Sequence, residues 1–279
     1  PLDSEHRRLA EQIYAKHNFD GLRMLAVAQK NQIREAGAFD VSDEQNMVLM
    51  GFIGFLDPPK QSAAAAITAL NEHGVRVVVL TGDSEGVAVK VCSKVGVPTE
   101  HCLTGVDVEA MSDKALIRAV RECCLFSKLS PAQKQRVVAA FQANGHTVGY
   151  MGDGINDTLA MRQSDVGISV DSAVDIAKET ADIILLKKDL MVLEEGVLEG
   201  RRTFGNIMKY IKMAASGNFG NMISVVLASI LLPFLPLKPV QILTQNLLCD
   251  FAQLGIPFDR VDESYLIQPR KWDTGSIQK

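Results

Sequence analysis

The chain has 279 residues, room for one large domain or two ordinary ones, and carries a net charge of −4. Nothing in that balance points to a nucleic-acid partner. Its five cysteines include the adjacent pair Cys123-Cys124 but no C-x-x-C, and its five histidines are scattered. Reduced, mostly buried thiols and ordinary histidines follow from this. No cleavable secretory segment is expected at the start.

Residues 4–16 alternate charged and apolar side chains at helical spacing. Residues 22–28 (Leu-Arg-Met-Leu-Ala-Val-Ala) and 47–55 read as strands. Arg23 is open to two readings, a phosphate contact or a solvated face residue. Leu56-Asp57-Pro58-Pro59-Lys60 then breaks the pattern. Two prolines stiffen the backbone and pre-set a helix start, so this stretch reads as a hinge. An alanine-rich helix is expected over residues 61–72, ended by His73-Gly74.

Residues 75–80 (Val-Arg-Val-Val-Val-Leu) read as a buried strand. Thr81-Gly82-Asp83-Ser84 follows, then a helix to Val95. Strand, T-G-D, helix places a hydroxyl and backbone amides near a helix N-terminus, an arrangement that handles phosphate. A plain Asp/Ser cap is the simpler alternative. A helix over 112–123, a strand over 125–128 and a helix from Ser130-Pro131 to about Ala143 come next. Lys134 lies in the first turn of that helix, where the dipole disfavours a cation. It serves a bound anion or is simply solvated.

The stretch the rest is organised around is Met151-Gly152-Asp153-Gly154-Ile155-Asn156-Asp157. It follows an apolar run, residues 146–150, that reads as a strand, and precedes a helix start at residues 158–162. Asp153 and Asp157 stand four apart with Asn156 between them, all hard oxygen donors. Gly152 and Gly154 allow a tight turn and close backbone approach. Such a loop suits Mg²⁺, which takes a few protein oxygens plus water and phosphate. Strands are expected again at 166–170 and 183–186. The alternation from 60 to 190 predicts an α/β fold: a doubly wound parallel sheet with its site at the strand carboxyl ends.

From Leu190 the sequence reads as helix without a clear stop. Arg201, Arg202, Lys209 and Lys212 precede 25 residues, 213–237, that carry no charge. That exceeds the ~20 residues needed to span a bilayer. Pro233 and Pro236 end the run. A second apolar stretch, 240–258, is broken by Asp250. Basic residues before the first stretch, and Arg260, Arg270 and Lys271 after the second, place both ends in the cytoplasm. Asn218 and Asn221 are three apart. Asn246, Asp250 and Gln253 follow a four–three spacing, so each set shares a helical face. A carboxylate at mid-membrane costs roughly 2.5–3.5 kcal/mol on insertion scales, which favours an ion path over interhelical glue.

These residues together resemble the P-type ATPases. Leu56 to Lys60 is similar to the family's D-P-P-[RK] hinge, Thr81-Gly82-Asp83 to its T-G-D, Lys134 to the lysine of its P-x-x-K segment, and Gly152 to Asp157 to its G-D-G-x-N-D. Residues 22–26 resemble the arginine strand closing the nucleotide-binding domain. Gly217-Asn218-Phe219-Gly220-Asn221 and residues 245–254 look most like the bacterial magnesium-importing branch, where calcium pumps would place an acidic residue at Asn221. No D-K-T-G-T and no actuator T-G-E-S occurs in the sequence.

The resemblance implies a haloacid-dehalogenase-like fold followed by a transmembrane helical hairpin. Its parts would be the end of the nucleotide-binding domain (1–50), the phosphorylation domain (51–190), a stalk helix (191–212), two membrane helices (213–258) and a cytoplasmic loop (259–279). It implies ATP and Mg²⁺ as cofactors. Asp153, Asn156 and Asp157 would hold the metal. Thr81, Gly82, Asp83 and Lys134 would serve the phosphoryl group, Arg23 the nucleotide, and Asn218, Asn221, Asn246 and Asp250 the transported divalent cation. The lipid bilayer of the cytoplasmic membrane and the remaining domains of the pump would be its partners. A pump for calcium or protons, a membrane-anchored phosphatase of the same architecture, and a non-enzymatic membrane module are the rival readings. The phosphatase needs its own D-x-D nucleophile, which the sequence lacks.

Overall fold

The computed structural model describes residues 3–19, 21–30, 40–41, 44–55, 59–187, 189–234 and 236–270. Leu56, Asp57 and Pro58 of the expected hinge, Lys271 among the expected flanking cations, and the side chain of Arg23 lie outside the described residues. The chain divides into two compact units, Pro1–Thr68 with Arg76–Val192, and Ala69–Val75 with Leu193–Lys279.

The first unit opens with helix α1 (Ser4–Phe19) and an antiparallel ribbon of β1 (Arg23–Gln29) and β2 (Val48–Phe55). Arg23 pairs with Phe55 and Gln29 with Val48, with a bulge between Val27 and Ala28. The parallel α/β body follows: α2 (Gln61–Glu72), β3 (Val79–Leu80), α3 (Glu85–Val95), β4 (Cys102–Thr104), α4 (Gly105–Ala110), α5 (Asp113–Ala119), β5 (Leu125–Ser127), α6 (Pro131–Ala143), β6 (Gly149–Met151), α7 (Thr158–Gln163), β7 (Val166–Val170), α8 (Asp175–Thr180) and β8 (Ile183–Leu185). The expected parallel strands are present, divided between two sheets rather than joined in one. One has the order β3-β5-β4 and the other β6-β7-β8.

Strand β5 shows why helices cover both faces of its sheet. Leu125 and Phe126 are adjacent, both fully buried, and point to opposite sides. Leu125 joins Ile67 of α2 with Ala88, Cys92 and Val95 of α3. Phe126 joins Val108 of α4, Leu116 of α5, and Val137 and Phe141 of α6. Each such burial stabilises by about 1.5–3 kcal/mol. Helix α3 stops where Gly96 adopts φ 79° and donates its N–H to the Cys92 carbonyl, a left-handed cap that favours glycine.

Two sequence expectations change in detail. Of the run 75–80, only Val79 and Leu80 pair, both with β5. Upstream in that run, Arg76 donates to the carbonyls of Val120, Arg121 and Cys123. Strand β4 and helix α4 had no counterpart in the sequence reading. They are too short for a periodicity to register, and a reciprocal capping box between Thr104 and Asp107 starts the helix.

In the second unit, α9 (Leu190–Leu231) continues from Leu193 and ends before Pro233. It is the one helix among the described residues long and apolar enough to cross a membrane. Phe219, Ile223, Val226, Leu227 and Ile230 along it are exposed, as lipid-facing side chains would be. The second apolar stretch forms α10 (Pro239–Gln253), 15 residues long, then a short 3₁₀ turn at Ile256–Phe258. At 1.5 Å per residue, α10 reaches about 22 Å, less than a full ~30 Å hydrocarbon core. The segment beyond it, which includes α11 (Glu263–Leu266), folds back on α9. Asn206 Nδ2 donates to the carbonyls of Pro257 and Asp259, and Lys209 Nζ to Asp259 Oδ2 at 2.8 Å.

Candidate metal and phosphate site

The loop 152–157 leaves the carboxyl end of β6 and is pinned through its backbone. The Gly152 N–H donates to the Ile168 carbonyl at 3.1 Å, and the fully buried Ser169 hydroxyl donates to the Gly152 carbonyl at 3.0 Å. The Val174 N–H donates to the Asp153 carbonyl at 3.2 Å. Strand β7 and the start of α8 thereby hold the loop that carries both carboxylates.

Asp157 is half-buried and is the hub of the site. Its Oδ1 accepts from the Lys134 ammonium at 2.8 Å and from the Tyr150 hydroxyl at 2.8 Å. Side-chain exposure is 10% for Lys134 and 16% for Asp157, so the ion pair is largely withdrawn from water. The alternative of a solvated Lys134 is therefore excluded. Burial, then the neighbouring Asp157 charge, pushes the Tyr150 phenol well above its ordinary range, so Tyr150 is a fixed donor. A Cβ added at Gly152 would sit 2.4 Å from the Asp157 Cβ, so only glycine leaves room for this side chain.

Asp153 and Asn156 are exposed. Among the described residues no group of three or more His, Cys, Asp or Glu is placed to hold a metal. Two carboxylates and an amide on one loop nonetheless fit Mg²⁺, which is commonly held by one or two carboxylates with water and phosphate completing its shell. The absence of a side chain at Gly152 is what leaves room for Asp157 in this loop.

At the end of β3, the Thr81 hydroxyl donates to Asp83 Oδ2 at 3.0 Å and accepts from the Asp83 N–H at 3.1 Å. The Lys128 N–H donates to the Asp83 carbonyl, and the Leu129 N–H to that of Thr81. The simple cap alternative fails here, because Ser84 makes no side-chain cap to α3 and instead donates to Asn18 Oδ1.

A cleft of about 500 Å³ brings Thr81, Lys134, Asp153 and Asp157 together, with Lys60, Ser62, Tyr150 and Asp189 also on its walls. Gly82, Asp83 and Asn156 belong to the two loops but do not line it. Tyr150, Ser169, Ser62 and Asp189 were missed in the sequence. Tyr150 ends an apolar run and reads there as core, and the other three carry no motif. In the second unit, Asn218, Asn246 and Asp250 are exposed. Asn221 Oδ1 accepts from Gln245 Nε2 at 2.6 Å, a residue the sequence reading did not assign to the ion path.

A parallel α/β body carries at its strand ends a glycine-bracketed carboxylate loop and, paired with it, a buried lysine. The chain belongs to the haloacid dehalogenase-like hydrolases, whose family model matches residues 5–165. Over 277 residues it is 51% identical to "Magnesium-transporting ATPase, P-type 1" of Salmonella typhimurium, covering 99% of this chain and 31% of that protein. The protein of the same name from Escherichia coli K12 is 50% identical over the same length and shares. The "Endoplasmic reticulum calcium ATPase srcA" of Aspergillus fumigatus is 30% identical over 289 residues, 98% of this chain and 30% of that protein. The chain thus spans about a third of the length of these relatives.

Proposed function

We propose that the chain is part of a P-type ATPase that couples ATP hydrolysis to magnesium transport across the cytoplasmic membrane. The observation that carries the catalytic half is the Lys134–Asp157–Tyr150 constellation in the cleft shared with Thr81. The magnesium assignment rests on 51% identity to a protein named for that ion, against 30% to one named for calcium.

Asp153 and Asp157, with Asn156, would hold Mg²⁺ directly or through water. Bound there, it would supply charge neutralisation for the phosphoryl oxygens. Thr81 and Gly82 would orient those oxygens, with Asp83 holding the Thr81 hydroxyl in place. Lys134 would bring its positive charge to the same cleft, and Arg23 would meet the nucleotide. Phosphoryl transfer needs mainly positioning and charge stabilisation, and these residues offer both. The phosphorylated Asp is not among these 279 residues, because no D-K-T-G-T occurs in them. The run 213–231 of α9, and α10 with its 3₁₀ turn, would form the membrane hairpin. Asn218, Asn221, Asn246 and Asp250 would meet the transported cation.

The test is ATP-driven Mg²⁺ uptake by the full-length protein in sealed vesicles, beside Asp250→Asn. Uptake abolished by that change is the expected result. ATP turnover stimulated by calcium, with no Mg²⁺ movement, would keep the pump and remove the magnesium assignment.

A further inference from the structure

Two helices begin on the wall of the cleft, and one carboxylate oxygen joins them. Asp189 immediately precedes α9, and its Oδ1 accepts from the Met191 N–H at 3.1 Å. The same oxygen accepts from the hydroxyl of Ser62, in the first turn of α2, at 3.0 Å. Ser62 and Asp189 are 127 residues apart in sequence, and both line the cleft that holds Thr81, Lys134 and Asp157. Lys60 and Lys187 also act on the Asp189 carboxylate, though less than its hydrogen bonds do. A cap alone would need only the Met191 contact. The Ser62 contact adds a link from the cap to the helix that follows Pro59-Lys60. Asp189 belongs to no motif read in the sequence.

We propose that Asp189 is a positioning residue that locks the start of α9 to the start of α2 at the cleft, so that phosphorylation is relayed into α9 through this carboxylate. The inference rests on the pump reading above. It assigns Asp189 no contact with the phosphoryl group. It predicts a defect after phosphoryl transfer, in the conformational step that precedes hydrolysis of the acyl-phosphate.

The experiment uses the full-length protein in lipid vesicles. Acyl-phosphate formed from radiolabelled ATP, its decay, and Mg²⁺ moved per ATP are measured for wild type, Ser62→Ala, Asp189→Ala and Asp189→Asn. Wild-type acyl-phosphate reports on the pump reading itself, and the variants relative to it report on Asp189. Asp189→Ala is expected to form acyl-phosphate at the wild-type rate. Its decay is expected to slow by about fivefold or more, the lower end of intersite coupling, with less Mg²⁺ moved per ATP. Ser62→Ala should show the same defect in smaller degree. Asp189→Asn keeps an oxygen acceptor for both donors and should restore decay to near wild type. Unchanged decay in Asp189→Ala overturns the proposal. So does an equal loss of acyl-phosphate formation in Asp189→Ala and Asp189→Asn, which would mark a merely structural or directly catalytic residue.

Discussion

At the scale of single residues, Asp157 is stabilised by two donors on one oxygen, and their removal has separate consequences. Lys134→Met takes away the cation that balances a largely buried carboxylate and should destabilise by about 1–3 kcal/mol. Tyr150→Phe leaves that balance intact and should cost less, about 1 kcal/mol. Urea unfolding of the two variants in detergent checks the order. Gly152→Ala acts differently, by forcing a Cβ to within 2.4 Å of the Asp157 Cβ. The loop must shift, and the Mg²⁺-induced rise in thermal midpoint expected of wild type should vanish. Asp153→Asn, which removes one of the two loop carboxylates, should also abolish that rise.

Cys92 gives a pH signature. Burial pushes its thiol from 9.0 to about 11. Above pH 9 the unfolded thiol loses its proton while the folded one keeps it, so the folded state binds more protons and stability falls as pH rises toward 11. Urea midpoints between pH 8 and 11 should decline less steeply in Cys92→Ala than in wild type. Iodoacetamide should leave native Cys92 unlabelled at pH 8.

At the scale of elements, local signals and packing make different demands. Helix α6 starts with a full capping box, in which Ser130 and Gln133 exchange side-chain to backbone hydrogen bonds, with Pro131 in the first turn. Ser130→Ala should cost about 1 kcal/mol, read from the urea midpoint, since the Gln133 N–H loses its side-chain acceptor. In α9 the sensitive position is Gly205, where a Cβ would lie 2.9 Å from Val261 Cγ2 and 3.2 Å from the Tyr265 ring. Gly205→Ala should loosen the segment that Asn206 and Lys209 hold, at about 1–3 kcal/mol if it stays docked. Faster proteolysis near residues 259–266 would register the loosening.

At the scale of the whole molecule, the chain offers a cleft lined by Thr81, Lys134 and Asp157 and a long apolar helix, and its sequence contains no D-K-T-G-T. Incubated alone with ATP and Mg²⁺, it should form no hydroxylamine-labile phosphate. Labelling of the full-length protein under the same conditions supplies the contrast.

Features that depend on neighbours in the chain are readable from the residues alone. The spacing of Asp153 and Asp157 between glycines, the strand–helix alternation, the helix Gln61–Glu72 and the 25-residue uncharged run are all legible because a loop motif, a period or a length is written in consecutive residues. The pairings across the parallel crossovers appear only in the folded chain. Lys134 meets Asp157 from 23 positions away, Ser169 braces Gly152, and Ser62 meets Asp189 over 127 positions. The same holds for the division into two sheets and for the choice of Gln245 as the partner of Asn221. No local pattern encodes these. They follow from which strand ends the crossovers bring side by side, and from the rule that a polar group withdrawn from water must find a partner where packing leaves one.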